Sequence, residues 1–259
     1  MNSVYGWSVN HVHEYRRRRW QTASMTARVQ ARDSFRRRLI AAAYARLATQ
    51  GAAGLRMRQL ARDLGVTPGA LYRYVAGRDE LLTILVVDAY EALSEAARQA
   101  DSEAPRSDLE GRWTAIWHAV RTWALEHRNE YQLIYGTPIP GYRAPADTIR
   151  PASSITLLLG RICSQLWDTG RAESRASEPA PEGLAEDVTR IRAWIVANGL
   201  PADAPDAMIL ATVEAWTTLM GAVSLELSGH YVGSIHNGAA HLDLLARRSF
   251  GILAAMAHS

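Results

Sequence analysis

The sequence predicts an all-α protein in two parts, an N-terminal three-helix unit containing a helix-turn-helix and a larger helical domain behind it. Three observations carry this expectation. Apolar residues fall at i, i+3, i+4 and i+7 in segment after segment from residue 34 onward, which lines one face of an α-helix. Residues 55–78, LRMRQLARDLGVTPGALYRYVAGR, separate two such segments with Gly65 and Thr67-Pro68. Residues 1–80 hold 15 arginines against 5 acidic residues, a balance of +10, while residues 81–259 hold 14 against 21, a balance of −7.

The 259 residues are enough to bury a core, and 48% hydrophobic with 21% charged residues is ordinary for a globular chain. All 29 basic residues are arginine, a bias that also favours bidentate contacts to phosphate and guanine. The single cysteine, Cys163, excludes an intramolecular disulfide and suits a reducing cytoplasm. No apolar run follows Arg16 to Arg19, and no stretch is read as membrane-spanning. The expected setting is therefore cytoplasmic, without a membrane partner.

Residues 1–30 read as a flexible arginine-rich arm, either a basic tail touching phosphates or a minor groove, or plain disorder, or upstream sequence that precedes a start at Met25. A helix is expected from Ser34, as N-cap, to Gln50, with Ile40, Ala43, Tyr44 and Leu47 buried. Arg36, Arg37 and Arg38 would then occupy its first turn, where positive charge opposes the helix dipole; they are either phosphate contacts or a solvated turn. In the next helix Met57, Leu60, Ala61 and Leu64 share one face, leaving Arg58 on another. Gly65 closes it, and Thr67-Pro68 supplies an N-cap hydroxyl and a first-turn proline for the following helix. There Ala70, Leu71 and Val75 pack inward, while Thr67, Gly69, Tyr72, Arg73 and Tyr74 face outward. That face is small, basic and aromatic, as a helix entering the major groove requires. The alternative is an ordinary helical hairpin with solvated arginines.

Helix four is expected over residues 77–99, with Asp79 and Glu80 complementing its N-terminal dipole and Leu81, Leu82, Leu85, Val86, Ala89 and Leu93 forming its stripe. A polar loop (101–108) precedes a helix over 109–128 whose apolar face carries Trp113, Trp117 and Trp123. The segment GTPIPGYRAP, with three prolines and two glycines, forbids regular helix. Further helices are expected over 152–168, 183–198, 205–227 and 239–257, with 171–182 mobile. In the last two, Trp216, Leu219, Met220, Val223, Leu227, Leu244, Leu245, Ile252 and Leu253 need an apolar partner.

The residues Leu60-Ala61, Leu64-Gly65-Val66, Ala70-Leu71-Tyr72-Arg73, Val75 and the run Gly77 to Leu82 resemble the DNA-binding domain of the tetracycline-repressor (TetR) family. The segment VEAWTTLMGAVSLELSGHY similarly resembles a C-terminal domain type of TetR-like regulators. The resemblance implies a helix-turn-helix DNA-binding domain over residues 31–80 and a ligand-binding and dimerisation domain over 81–259. It implies base contacts from Arg58, Thr67, Pro68, Gly69 and Arg73, and backbone contacts from Tyr72, Tyr74 and Arg78. Where the family often has histidine, this chain has Tyr74. The implied partners are a double-stranded, palindromic DNA operator, a small-molecule effector and a second copy joined through the C-terminal helices. Candidates for the effector pocket are Trp113, Trp117, His118, Tyr131, Tyr135, Trp167 and Met220, against the reading that aromatics fill core.

Walker, GxGxxG, GxSxG and HExxH signatures are absent, so no catalytic residue or cofactor is expected. His230, His236 and His241 do not share a helical face, and no metal is expected. The expected function is a transcriptional repressor released by an effector. The alternatives are an activator of the same fold, or an architectural protein coating DNA with little sequence preference.

Overall fold

The computed structural model describes residues 9–51, 54–170 and 179–257, with side chains from residue 30 onward. The described residues form helices without strands: α1 (Val9–Gln50), α2 (Met57–Asp63), α3 (Pro68–Leu71), α4 (Arg78–Glu103), α5 (Leu109–Glu126), α6 (Arg128–Tyr135), α7 (Ile149–Ala152), α8 (Ser154–Gly170), α9 (Ala185–Ala197), α10 (Asp206–Leu227) and α11 (Gly238–Ala257). The chain divides into two compact units, Met1–Leu81 and Leu82–Ser259.

The first unit corrects one boundary. Of the arm expected to be flexible over residues 1–30, residues 1–8 lie outside the described residues, and from Val9 the backbone is helical into Gln50. Ser34 is therefore inside α1 and caps nothing. No glycine or proline occurs between Val9 and Gln50, and alanine and arginine are strong helix formers, so nothing local stops the helix there. Leu39, Ala43 and Leu47 are its buried positions, while Ile40 and Tyr44 are only half-buried. Arg38 is not a first-turn residue either: its Nη2 donates to the Leu64 carbonyl at 3.1 Å, satisfying a carbonyl at the end of α2. Arg46 joins α1 to α2 through Asp63 Oδ1 (2.8 Å) and Gln59 Oε1 (3.0 Å). Its guanidinium holds the Asp63 carboxyl below the usual carboxylate range.

In the second unit α5, α8, α10 and α11 pack on one another, with α9 against α10. Ala89, Leu93 and Ala97 of α4 join the same core. The expected helix over 109–128 ends at Glu126, because His127 leaves helical geometry (φ −119°, ψ 52°) and α6 restarts at Arg128. Residues 171–178 of the segment expected to be mobile lie outside the described residues. Contrary to the sequence reading, α10 is long and apolar enough to cross a membrane, with 22 residues and a mean hydropathy of 1.4. Its apolarity has another cause: Met208, Ala215, Leu219 and Val223 are buried in the bundle core.

Candidate DNA interface and candidate effector sites

The helix-turn-helix is built from short-range backbone chemistry. Gly65 takes φ 68°, the left-handed conformation that glycine adopts without a Cβ penalty. The Val66 N–H then bonds the Ala61 carbonyl (2.9 Å) and the Gly65 N–H the Arg62 carbonyl (3.1 Å), the paired bonds of a Schellman stop. Thr67 restarts the chain in extended geometry, accepting the Ala70 N–H on Oγ1 at 3.2 Å, with Pro68 at the first helical position. The α-helix proper is only four residues long. The chain continues as turns in which the Tyr72 N–H bonds the Pro68 carbonyl and the Tyr74 N–H the Leu71 carbonyl.

Leu71 and Val75 are buried beneath this segment, and Thr67, Pro68, Gly69, Tyr72, Arg73 and Tyr74 are exposed above it. Arg58 on α2 is also exposed, whereas Arg78, opening α4, is partly buried and lies 3.5 Å from Asp79. Tyr74 is held from beneath: its ring sits 4.1 Å, centroid to centroid, from Phe35 of α1. Gly69 faces open space, and a Cβ built there meets nothing within 4 Å. Nothing in its own chain requires a residue that small.

The seven candidates for an effector pocket fall mainly inside the bundle. Trp113 and Trp117 are fully buried, and Tyr131, Trp167 and Met220 nearly so. Trp113 Nε1 donates to Ser249 Oγ (3.1 Å), and Tyr131 OH donates to the Met220 carbonyl (3.2 Å) and lies 3.0 Å from Ser224 Oγ. His118 is half-exposed, 3.3 Å from Asp243 Oδ1. By contrast, Trp117 Nε1, Trp167 Nε1 and Tyr135 OH are buried without a hydrogen-bond partner, as is Trp216 Nε1. Burial, with Tyr90 and Tyr131 close by, pushes the Tyr135 phenol above its usual range.

Three cavities in this unit are lined by other residues. A small apolar one of about 60 Å³ lies among α8, α9 and α10, with Cys163, Trp194, Met208 and Thr212 in its wall. Burial pushes the Cys163 thiol up to about 12, and the Thr212 hydroxyl donates to its sulfur at 3.2 Å. A polar cavity of about 210 Å³ adjoins α4, α7 and α8, and a wider one of about 670 Å³ shares part of its wall. Sequence reasoning missed this basin because its residues come from α4, α7, α8 and the end of α9, and nothing in the sequence places those faces side by side. Glu226, near the end of α10, is occupied by Arg121 through bonds of 2.7 and 2.5 Å, and α10 ends at Leu227, before His230.

An all-helical chain with an exposed, basic, glycine-containing second helix in a helix-turn-helix and a separate helical unit is a DNA-binding transcription regulator. Residues 39–83 match the model of bacterial regulatory proteins of the tetR family, and residues 113–249 match the tetracyclin repressor-like C-terminal domain. The chain belongs to the TetR family. It is 34% identical over 213 residues to the HTH-type transcriptional regulators Mb1846 of Mycobacterium bovis and Rv1816 of Mycobacterium tuberculosis, covering 82% of this chain and 88% of each relative. Its fold is similar to the crystal structure of the putative regulatory protein SCO4313, with a TM-score of 0.66, 29% identity and coverage of 86% of this chain and 98% of that one. A protein of unknown function from Rhodococcus sp. RHA1 shares the fold, with a TM-score of 0.60, 23% identity and coverage of 86% and 95%.

Proposed function

We propose that the protein is a cytoplasmic, non-enzymatic repressor that grips a palindromic operator as a symmetric dimer and is released by a small-molecule effector. The observation that carries the DNA reading is Gly69: a small residue with open space around it, beside Thr67 and Arg73, lets backbone approach base edges while arginine forks onto guanine. Arg58, Thr67, Pro68 and Arg73 would read bases, and Tyr72, Tyr74 and Arg78 would hold backbone. Selection from a random duplex pool is expected to enrich inverted repeats with half-sites about 34 Å apart or a multiple of it. Equal recovery of all sequences would favour the architectural alternative. The Arg73→Ala variant is expected to lose about 1 to 3 kcal/mol of discrimination at one base pair, whereas Arg78→Ala weakens every duplex alike and lowers the salt slope by about one. Titrations at several salt concentrations check this, and equal losses on operator and random DNA for both variants would end that division of roles.

The dimer reading rests on what α10 and α11 leave outside. Leu253 is 1% exposed within its own chain and is not free for a partner, while Leu245, only partly buried, packs against the same core. Leu225, Leu244 and Ile252 are instead 45%, 45% and 52% exposed. Gly221 and Gly251, also exposed, would meet nothing within 4 Å on gaining a Cβ, which leaves room for another helix to approach closely. An isologous contact of these faces buries the same patch twice. The Leu244→Asp/Ile252→Asp double variant is expected to sediment as a helical monomer, since each buried unpaired carboxylate costs several kcal/mol. An unchanged dimer would place the interface elsewhere.

Effector release follows if a ligand binds one arrangement of the dimer better than another, and only to the extent of that difference. The four buried donors without partners favour this reading, since such groups are unfavourable until an acceptor reaches them. Helix α4 is the covalent link through which occupancy of the second unit would alter the spacing of the recognition helices.

A further inference from the structure

The 210 Å³ cavity is strongly one-signed. Arg98 of α4, Arg150 of α7 and Arg161 of α8 line it, and no acidic side chain does. Arg98 already bonds Glu95, with Nη2 at 2.6 Å and Nε at 3.2 Å. Arg150 and Arg161 have no carboxylate partner among the described residues. Beside them Ser94, 3% exposed, carries a buried hydroxyl without a partner. Buried hydroxyls are nearly always paired, so an unpaired one in the wall of a cavity marks a place where a ligand atom completes the set. Leu157 and Leu158 supply an apolar wall. The wider 670 Å³ cavity shares Ser94, Arg98, Arg150 and Ser154 but adds Asp88, Glu91 and Glu95. The wider cavity is thus mixed in sign, and the smaller one, lined by arginines without carboxylates, is the place for negative charge.

We propose that this 210 Å³ cavity, whose arginines reach solvent, is the binding site of a small organic anion, whose carboxylate or phosphate is forked by Arg150 and Arg161 and receives a hydrogen bond from Ser94. Its short apolar portion lies on Leu157 and Leu158. Guanidinium groups recognise either oxyanion by paired, charge-assisted bonds. The regulatory consequence, though not the site itself, rests on the effector-release reading above. Ser94 and Arg98 lie on α4, the helix that begins at Arg78, so the anion would act on the element that connects to the DNA-binding unit.

Calorimetric titration of the full-length protein with inorganic phosphate and with hexanoate tests the site. Unaltered protein and Arg128→Gln, which alters an arginine outside the cavity, are expected to bind at least one probe saturably. The Arg150→Gln/Arg161→Gln variant is expected to bind it roughly tenfold or more weakly, and Ser94→Ala several-fold more weakly, with helicity unchanged by circular dichroism. Binding of hexanoate alone supports a carboxylate ligand, and binding of phosphate alone supports a phosphorylated one. Absence of saturable binding of both, or undiminished binding in either variant, overturns the proposal. Operator affinity at saturating probe, compared between the unaltered protein and the arginine double variant at equal salt, separates the two readings. Probe binding without any change in operator affinity would sink effector release at this site and leave the anion site standing.

Discussion

Replacing Arg112 with methionine is expected to lower the unfolding free energy by about 3 to 5 kcal/mol. Arg112 is 3% exposed. Its Nε bonds Asp101 Oδ1 at 2.7 Å and its Nη2 bonds Oδ2 at 3.3 Å, while Nη1 donates to Gln165 Oε1 at 2.6 Å. The side chain thus ties the end of α4 to α5 and α8. Removing it leaves the Asp101 carboxylate, 7% exposed, with only Arg106 Nη1 at 3.2 Å. Urea denaturation of the single variant beside Arg112→Met/Asp101→Leu measures the effect. The double variant is expected to recover much of the loss, because replacing both partners removes the desolvated charge rather than stranding it. Equal destabilisation of the two would mean that Asp101 is hydrated and the cluster worth little.

Trp117→Ala is expected to cost about 3 to 5 kcal/mol, the usual range for emptying a core of a large aromatic. The side chain is fully buried, 6.2 Å from Trp113 by ring centroids. Trp117→Phe is expected to be far milder than Trp113→Phe. The first removes an indole N–H that has no partner, whereas the second breaks the bond to Ser249 and leaves its part-buried hydroxyl short of a donor. Thermal midpoints of the three variants provide the comparison. If an effector accepts a bond from Trp117, Trp117→Phe would also raise the effector concentration needed to release DNA. An effector midpoint unmoved by Trp117→Phe would return Trp117 to a purely packing role.

The turn of the helix-turn-helix was legible in the sequence because every interaction that makes it spans five residues or fewer. Gly65 stops α2 and Thr67-Pro68 starts α3 by rules that need no tertiary context, and the same spacing leaves Leu71 and Val75 inward and Tyr72 and Arg73 outward. Helix starts far from such signals were less legible. Ser34 resembled an N-cap, but the stretch before it contains no glycine or proline to stop a helix, and α1 runs back to Val9. The pattern of α11 showed that Leu244, Leu245, Ile252 and Leu253 needed apolar neighbours, but could not divide them between the chain's own core and an outward face.

By itself, then, the sequence determined the helical class, the order and approximate length of most helices, the DNA-reading motif and the concentration of positive charge around it. These depend on local propensity, periodicity and composition. Only the tertiary structure decided which aromatics are core, that Arg38 bonds the end of α2 and Arg112 ties α4 to α5 and α8, and that Ser94, Arg98, Arg150 and Arg161 line one cavity. Cavities and buried ion pairs are made by residues far apart in the chain. Their energies come from desolvation and mutual geometry, which no spacing along a single helix records.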